Sequence, residues 1–363
     1  MKKKSLLILF AVMWIVSSVT FGAGATLAAG PVKLKVAIHF PPPPKPPKIP
    51  GATWQGILNY AERVKESTKG GVLIENYWGG QLGSPTEFVA LAGSQGVADC
   101  AVLSIVYNKW EIPLTMGRTL PFLTCNMTAQ HKGFWELYET WKPYKDEWDK
   151  VNLKPLWSTI SPPYSLATKG PVRTLDDLKG MKIWGSGYYA DALNAVGAQV
   201  ISTPAGEVFD LLSKGTIQGV FFPYDGHKNF GWWELVNYHL NVDFVGAKSE
   251  QIFVINKGVW NKLSKDDQKA MLDAAVPQHE EFLKNYRAEN LSLNKEYAEK
   301  GHKFYELSSA DQEKWQKLVG PKVEKEWLEQ MEKRGQGNDA RELLKRFKAM
   351  IAKYPGCEFI WPK

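Results

Sequence analysis

A pattern of three short apolar strands separated by two amphipathic helices occurs twice in this chain, and it limits the folds that the chain can adopt. Such strand–helix–strand–helix–strand units form parallel sheets with right-handed crossovers. The first copy has predicted strands Leu34–Phe40, Val72–Trp78 and Cys100–Val106 with helices Ala52–Thr68 and Pro85–Ser94, and the second has strands Met181–Trp184, Gln199–Thr203 and Ile217–Phe222 with helices Tyr188–Val196 and Gly206–Lys214.

The duplication predicts two α/β lobes, each a mostly parallel sheet with flanking helices. After Gln251 and one further strand, long amphipathic helices are predicted over residues 265–300, 309–333 and 339–353. We expect these helices to brace both lobes, and the last one could pack on a second copy, giving a monomer or a homodimer. The predicted boundaries are residues 30–155 with about 246–280 for lobe I, 156–245 with part of the C-terminal helices for lobe II, and about 281–363 for the bracing helices.

The first residues have the layout of a secretory signal peptide. Three lysines, Lys2 to Lys4, precede the apolar run Leu6–Phe21, and small residues follow it. The apolar run has 16 residues, fewer than the roughly 20 of a membrane-spanning helix. We therefore predict that residues 1–29 are a signal peptide and that the mature chain is exported to the periplasm.

The charge balance argues against a nucleic-acid partner. The chain carries 45 basic and 38 acidic residues, and removing the three leader lysines leaves 42 against 38, a net charge of +4. Lysines are scattered among glutamates, which is typical of solvated faces. The three cysteines, Cys100, Cys125 and Cys357, have no metal-ligand spacing. An oxidising compartment permits one disulfide among them, and the sequence leaves the pairing open.

Ligands of parallel sheets bind at the carboxyl ends of the strands. If the two predicted sheets face each other, these ends converge on one cleft. Aromatic side chains recur there, which favours a cleft lining over isolated core positions. The predicted strand ends are Phe40, Tyr77–Trp78, Ser104–Tyr107, Trp184, Thr203–Ala205 and Phe222–Tyr224.

No catalytic signature accompanies these strand ends. Six histidines are scattered along the chain, and none lies in a Gly-x-Ser-x-Gly, His-Glu-x-x-His or Cys/His motif. Asp225 and His227 offer two metal ligands without a third, so we expect neither a metal nor a cofactor. The pattern favours a binding protein over an enzyme.

Five segments, in order along the chain, carry a family resemblance: NYWGGQLGSPTEFVALAGSQGVADCAVLS (76–104), TLPFLT (119–124), PVRTLDDLKGMKI (171–183), GAQVISTPAGEVFDLLSKGTIQG (197–219) and FVINKGVWNKLSKDDQKAML (253–272). Together they resemble the periplasmic solute-binding proteins of tripartite ATP-independent periplasmic (TRAP) transporters, the DctP-like family. The resemblance implies a two-lobed clamp that closes on a small organic solute by a hinge. It also implies a small and a large membrane subunit as partners.

The departures from the family pattern concern the ligand. In the family, the strand corresponding to "MKIW" usually ends in an arginine that pairs with the ligand's carboxylate. Here that position is Trp184. A second family arginine corresponds to Tyr164, a ligand-binding asparagine corresponds to Phe222, and position 205 is Ala where some relatives have a bulkier residue.

Loss of both arginines predicts weak binding of C4-dicarboxylates and sugar acids, because a buried carboxylate without a partner costs several kcal/mol. Aromatic walls suit an apolar or aromatic solute. An amine is the alternative, with Asp225 as counter-charge, and an acid would need another basic group, for which Arg118 and His227 are the nearest candidates. The predicted ligand-binding residues are Trp184, Tyr164, Phe222, Phe221, Tyr224, Asp225, Phe40, Ser104, Tyr107, Ala205 and Trp157.

The function expected from the sequence is therefore solute capture for delivery to a membrane permease. A periplasmic protein that uses the same clamp to signal to a membrane kinase is the alternative, because the two differ in the docking partner.

Overall fold

The computed structural model describes residues 30–45, 51–161, 164–246, 250–358 and 361–362. The chain divides into the units Met1–Gly30 and Pro31–Lys363, and every strand and helix named below belongs to the second unit. The predicted signal peptide, residues 1–29, lies outside the described residues. Within the described ranges, no helix combines the length and the hydrophobicity needed to cross a bilayer.

The strands of the described chain belong to two sheets, and helices connect most of them. The strands are β1 Val32–Ala37, β2 Val72–Tyr77, β3 Cys100–Ser104, β4 Leu153–Ile160, β5 Tyr164–Thr168, β6 Lys182–Trp184, β7 Gln199–Ile201, β8 Gly219–Pro223, β9 Tyr238–Asn241, β10 Glu250–Asn256 and β11 Lys303–Glu306.

The helices lie between these strands and at the C-terminal end of the described chain. They are α1 Ala52–Ser67, α2 Phe88–Gly93, α3 Pro113–Gly117, α4 Met127–Thr140, α5 Lys142–Lys150, α6 Gly187–Ala195, α7 Val208–Ser213, α8 Gly226–Asn229, α9 Lys257–Lys262, α10 Lys265–Ala275, α11 Gln278–Glu299, α12 Ser309–Lys333 and α13 Gly337–Ile351.

Each sheet has three parallel strands at one edge, and antiparallel pairing joins them to the rest of the sheet. The first sheet has the order β2-β1-β3-β10-β4, in which β1 pairs in parallel with β2 and β3, while β10 is antiparallel to β3 and β4. The second has the order β11-β9-β5-β8-β6-β7, in which β6 is parallel to β7 and β8, β9 is parallel to β11, and β5 is antiparallel to β8 and β9. The α/β fold predicted from the two repeats is confirmed, with both sheets mixed.

The first sheet is covered on both faces, which explains why its central strand is a continuous apolar run. Every residue of β3 is buried. One face packs on α1 and α10 through a cluster that includes Val36, Tyr60 and Met271. The other packs on α2 and the helices that follow β3, through Ala101, Leu103 and Phe134. A strand buried on both sides gains from apolar residues at every position.

The predicted C-terminal helices differ in one place from those observed. The predicted helix over residues 265–300 is two helices, because the chain turns at Val276 and Pro277, and proline has no N–H to continue the first helix. The helix predicted over 309–333 has those bounds, and the one predicted over 339–353 runs over Gly337–Ile351.

Two long helices contact segments that flank both sheets. In α12, Trp315 Nε1 donates to the Ala192 carbonyl of α6 at 3.1 Å, and the Trp327 ring packs so closely on Gly117 of α3 that a side chain there would not fit. Helix α11 is bonded to α1 at one end, through Gln278. Near its other end, the Tyr297 hydroxyl donates to the carbonyl of Tyr224, directly after β8. Each of the two helices therefore contacts elements next to both sheets. Their bracing role and the lobe boundaries stay predictions.

One disulfide joins the segment before α4 to the C-terminal segment. It links Cys125 to Cys357, and Cys100 is a buried free thiol in β3. The structure therefore selects one of the pairings that the sequence left open.

Candidate ligand-binding cleft

Residues from both sheets surround a cavity of about 530 Å³. Its walls come from the strand ends of both sheets, from the turn Ile105–Tyr107 after β3, from α8 after β8, and from single turns of α1 and α11. The lining residues are His39, Phe40, Thr53, Trp54, Ser104, Val106, Tyr107, Ser161, Tyr164, Phe222, Pro223, Asp225, Gly226, Asn229, Phe230, Gln251 and Phe282.

Aromatic rings form most of the wall and hold one another in place. On the side of the first sheet, Phe40 packs against Trp54 with ring centroids 5.5 Å apart, and Trp54 Nε1 donates to the Pro41 carbonyl at 2.8 Å. On the side of the second sheet, Phe222 meets Phe230 edge to face at 5.6 Å. Such geometry is favoured by the ring quadrupoles. The cavity therefore offers a planar apolar solute a preformed aromatic surface.

Asp225 is the acidic residue of the described lining, and it is only 5% exposed. Its Oδ2 accepts a hydrogen bond from Asn229 Nδ2 at 3.1 Å, while its buried Oδ1 has no hydrogen-bond partner in the described chain. Burial, and next the neighbouring carboxyl of Glu289, raise the pKa of Asp225 to about 8, against the opposing effect of nearby N–H groups. Without a cation beside it, this carboxyl is mostly protonated at neutral pH.

The other polar groups of the lining are uncharged. Gln251 Nε2 donates to Ser104 Oγ at 3.2 Å, and its buried Oε1 has no partner within the described ranges. Burial lowers the pKa of His39 to about 3, so its imidazole is neutral. Burial raises the pKa of Tyr107 above its usual value, an effect that a backbone hydrogen bond with Ala205 opposes. The polar groups can hydrogen-bond a solute without supplying a positive charge.

None of the described lining residues is a lysine or an arginine. Arg118, considered from the sequence as a substitute partner for an acid, is fully buried away from the cavity and pairs with Glu250. It also donates to the Tyr144 hydroxyl at 2.7 Å and to the Gln130 carbonyl at 3.0 Å. His227 is not in the lining either. Its Nε2 is hydrogen-bonded to Ser165 Oγ at 2.9 Å, and burial lowers the pKa of its imidazole to about 3.

The structure brings six of the eleven predicted site residues to the cavity and places five elsewhere. Those in the lining are Phe40, Ser104, Tyr107, Tyr164, Phe222 and Asp225, and those outside it are Trp184, Phe221, Tyr224, Ala205 and Trp157.

Strand alternation explains one of the five. Successive side chains of a strand point to opposite faces, so that Phe222 of β8 faces the cavity while Phe221 packs against Tyr189 with ring centroids 4.9 Å apart. Trp157 of β4 stacks on Phe253 at 5.5 Å, within the core under the first sheet. In β8 the neighbouring positions 221 and 222 are both phenylalanine, so the pattern could not show which one faces the cavity.

The other three lie behind the wall. Tyr224 packs edge to face on Tyr297 of α11 at 5.0 Å. Ala205 belongs to the same buried cluster as Trp184. The Trp184 ring is fully buried and its Nε1 donates to the Thr203 carbonyl at 3.0 Å. The expected contact of Trp184 with ligand is replaced, in this structure, by a contact with Phe222.

Several lining residues were not predicted. Trp54 and Phe282 come from helices, Gln251 comes from the antiparallel strand β10, and Asn229 and Phe230 follow β8 by one short helix. A rule based on the ends of parallel strands does not include such positions. His39 was not predicted either, although it directly precedes Phe40 at a predicted strand end and could have been found by that rule.

One group of three potential metal-ligating side chains occurs in the described chain, formed by Cys125, Cys357 and Asp243. Both sulfur atoms are joined in the disulfide, so neither is a thiolate that could bind a metal.

The sequence model of a family described as "Bacterial extracellular solute-binding protein, family 7", named DctP, matches residues 52–330. The chain belongs to this family. The resemblance to TRAP solute-binding proteins is thereby confirmed, and DctP proteins are solute-binding transport proteins rather than enzymes.

Individual relatives are distant but match over most of their length. The outer membrane transporter protein TsaT of Comamonas testosteroni is 24% identical over 302 residues, 82% of this chain and 86% of its own. A marine metagenome TRAP solute-binding protein specific for aromatic acid ligands, solved with 3-hydroxybenzoate, has a TM-score of 0.78 at 24% identity, over 90% of this chain and 100% of its own. A Rhodoferax ferrireducens TRAP solute-binding protein, solved with copurified benzoate, has a TM-score of 0.74 at 24% identity, over 89% and 98%.

Proposed function

We propose that this DctP-family protein captures an organic solute with an aromatic or apolar body in the periplasm and delivers it to the small and large membrane subunits of a TRAP transporter. The observation that carries the proposal is the cavity whose wall is aromatic on the sides of both sheets, with no lysine or arginine in its described lining. Burial of such a body supplies binding free energy without a charged anchor.

The two structural neighbours support a solute of this size. One was solved with 3-hydroxybenzoate and the other with benzoate, so the shared fold accommodates a single aromatic ring. In this proposal the walls separate to admit the solute and close on it, as in hinged two-lobed proteins.

In this proposal Phe40, Tyr107, Tyr164 and Phe222 hold the body of the solute. Ser104 and Asp225 orient its polar group. Trp184 acts indirectly, because it packs on Phe222 from behind. Phe221, Tyr224, Ala205 and Trp157 support the surrounding core.

Thermal-shift screening of aromatic, amine and C4-dicarboxylate solutes tests the proposal. A solute present at about 100 times its Kd stabilises the folded protein by about 2.7 kcal/mol. Phe222→Ala should weaken the best solute by at least about tenfold, because Phe222 forms part of the wall. Phe209→Ala is the matched control, since Phe209 is an exposed phenylalanine near the second sheet.

A strong response to a C4-dicarboxylate that Phe222→Ala leaves unchanged would contradict the aromatic cavity. Uptake of the identified solute by membrane vesicles containing the two membrane subunits, dependent on this protein, tests delivery. Binding without any uptake would favour a sensory role instead. Whether the C-terminal helices join two copies stays a separate prediction, which sedimentation measurements can decide.

A further inference from the structure

The unpartnered carboxylate and amide oxygens of the cavity lining are hydrogen-bond acceptors. Asp225 Oδ1 and Gln251 Oε1 are buried and have no hydrogen-bond partner within the described ranges. Both residues are less than one-tenth exposed, so water can reach them only poorly. Buried polar atoms are nearly always satisfied in a working complex. With Asp225 ionised, a solute that completes this site must bring hydrogen-bond donors, which an ammonium group has and a carboxylate lacks.

The charges near Asp225 are also predominantly negative. Glu289 of α11 lies close enough to raise the pKa of Asp225, and its Oε2 accepts from the backbone N–H of Ala52 at 2.8 Å. The nearby cation on α8, Lys228, is paired with Glu296 at 2.5 Å. A cation entering the cavity would favour the ionised forms of these two carboxyl groups and would meet no lysine or arginine in the described lining.

Aromatic faces beside an acid are a recurring means of binding ammonium groups, because the face of the ring is the negative end of its quadrupole. Here Phe222, Phe230, Tyr107 and Tyr164 line the same cavity as Asp225. Ring and carboxylate together recognise a molecule that has both an apolar body and a positive head.

We propose that the solute of this protein is an aromatic or apolar primary amine in its protonated form, whose ammonium group is bound by Asp225 and Gln251 while the aromatic wall holds its body. The proposal rests on the proposed function, of which it specifies the substrate class.

The proposal implies a pH dependence, since the ammonium group binds the ionised form of Asp225. Below the pKa of this carboxyl, about 8, affinity falls as the carboxyl becomes protonated. An alkylammonium, like that of lysine, stays charged to about pH 10. The ionisable groups whose charges act on or respond to Asp225 are Glu289, Tyr286 and Tyr297 of α11, with Tyr224, His227 and Lys228 next to it in sequence.

Calorimetric titration of the protein, freed of copurified solute by unfolding and refolding, tests this with three matched probes. Phenethylamine, phenethyl alcohol and hydrocinnamate share a phenyl ring on a short chain and end in an ammonium, a hydroxyl and a carboxylate. We expect phenethylamine to bind at least about tenfold more tightly than the other two at about pH 8, a difference of about 1.4 kcal/mol. Its affinity should rise more than about tenfold from pH 6 to pH 8 and level off above.

Asp225→Asn, which keeps the shape and removes the charge, should abolish the preference for the amine and its pH dependence. Asp210→Asn is the control, since the Asp210 side chain is 72% exposed, and it should change neither. The wild-type pH profile keeps the proposal testable if Asp225→Asn does not fold.

The outcomes separate the two proposals. Tighter binding of hydrocinnamate, or an amine affinity independent of pH and of Asp225, would overturn the amine assignment and leave the proposed function standing. No binding of any probe, with no organic solute released from the purified protein on unfolding, would count against the proposed function itself.

Discussion

Trp184 and Phe222 pack edge to face, with ring centroids 5.3 Å apart and planes inclined at 63°. Phe222 forms part of the cavity wall, whereas Trp184 is fully buried behind it and is held by its bond to the Thr203 carbonyl. The residue at the position where the resemblance implies an arginine thus lies in the hydrophobic core that supports the wall. Whether Trp184 contacts the solute stays a prediction, and its position behind Phe222 favours an indirect role.

Trp184→Ala should therefore act first on stability. Removing a fully buried indole typically lowers the free energy of unfolding by about 3–5 kcal/mol, which urea unfolding measures. Trp184→Phe keeps most of the packing and loses the hydrogen bond to Thr203, at about 1 kcal/mol. We expect Trp184→Phe to retain solute affinity within about threefold. A loss of tenfold or more in this folded variant would instead indicate that Trp184 contacts the solute directly.

The buried pair of Arg118 and Glu250 leads to a second prediction. Both side chains are almost completely buried, and Glu250 immediately precedes the lining residue Gln251. Removing one partner leaves an uncompensated buried charge, so Arg118→Met should destabilise the protein by about 3–5 kcal/mol. The double variant Arg118→Met/Glu250→Gln should recover much of this loss in denaturant unfolding. Lys322→Met, at an exposed position, is the control. If Arg118→Met and Lys322→Met lowered the free energy of unfolding equally, the buried ion pair would not be a source of stability.

The fold could be predicted where its cause is local. Strands β1–β3 and β6–β8 could be predicted because they are short apolar runs in a repeated order. Their apolar character reflects burial, since β3 is fully buried and β8 is largely buried. Strands β4, β5, β9 and β11 were not found. Their partners are distant in the chain, as when β10 pairs with β4, and β11 has two half-buried aromatic residues between charged, exposed ends. Pairing between distant segments depends on tertiary packing, which local patterns do not contain.

The candidate site could be predicted only in part, for two physical reasons. Where two adjacent apolar residues end a strand, as Phe221 and Phe222 do, the sequence does not show which one faces the cavity. A cavity between two sheets is also completed by elements far away in the chain, here Trp54, Gln251 and Phe282. Asp225 was identified because it could supply the counter-charge for an amine bound against the aromatic residues.

The disulfide leads to a third prediction. Cys125 and Cys357 are 232 residues apart in sequence, and a cross-link over a long loop typically stabilises a protein by about 2–5 kcal/mol. Cys357→Ser should lower the free energy of unfolding by that amount, and dithiothreitol should have the same effect on the wild type but none on the variant. Cys100→Ser should leave the disulfide intact, as alkylation and mass spectrometry of the oxidised protein will show. A disulfide involving Cys100 would contradict the structure.

The stacked pair of His131 and His279, with ring centroids 3.6 Å apart, leads to the last prediction. Burial lowers the pKa of both, that of His279 to about 4. Because the unfolded chain takes up a proton near pH 6.5 and the folded one does not until pH 4, the stability due to neutral His279 is fully present above about pH 6.5. It decreases as pH falls, by up to about 3 kcal/mol at pH 4.

His279→Phe removes this titration and the two buried ring nitrogens, which have no partner within the described ranges. Its stability relative to the wild type should therefore increase steadily between about pH 6.5 and pH 4 and stay constant above. Groups whose pKa is shifted the other way, such as Glu147 and Asp225, are present in both proteins and cancel in the difference. Parallel stability curves for the two proteins over this range would show that His279 accepts a proton in the folded state, and that the stacked pair is not held neutral.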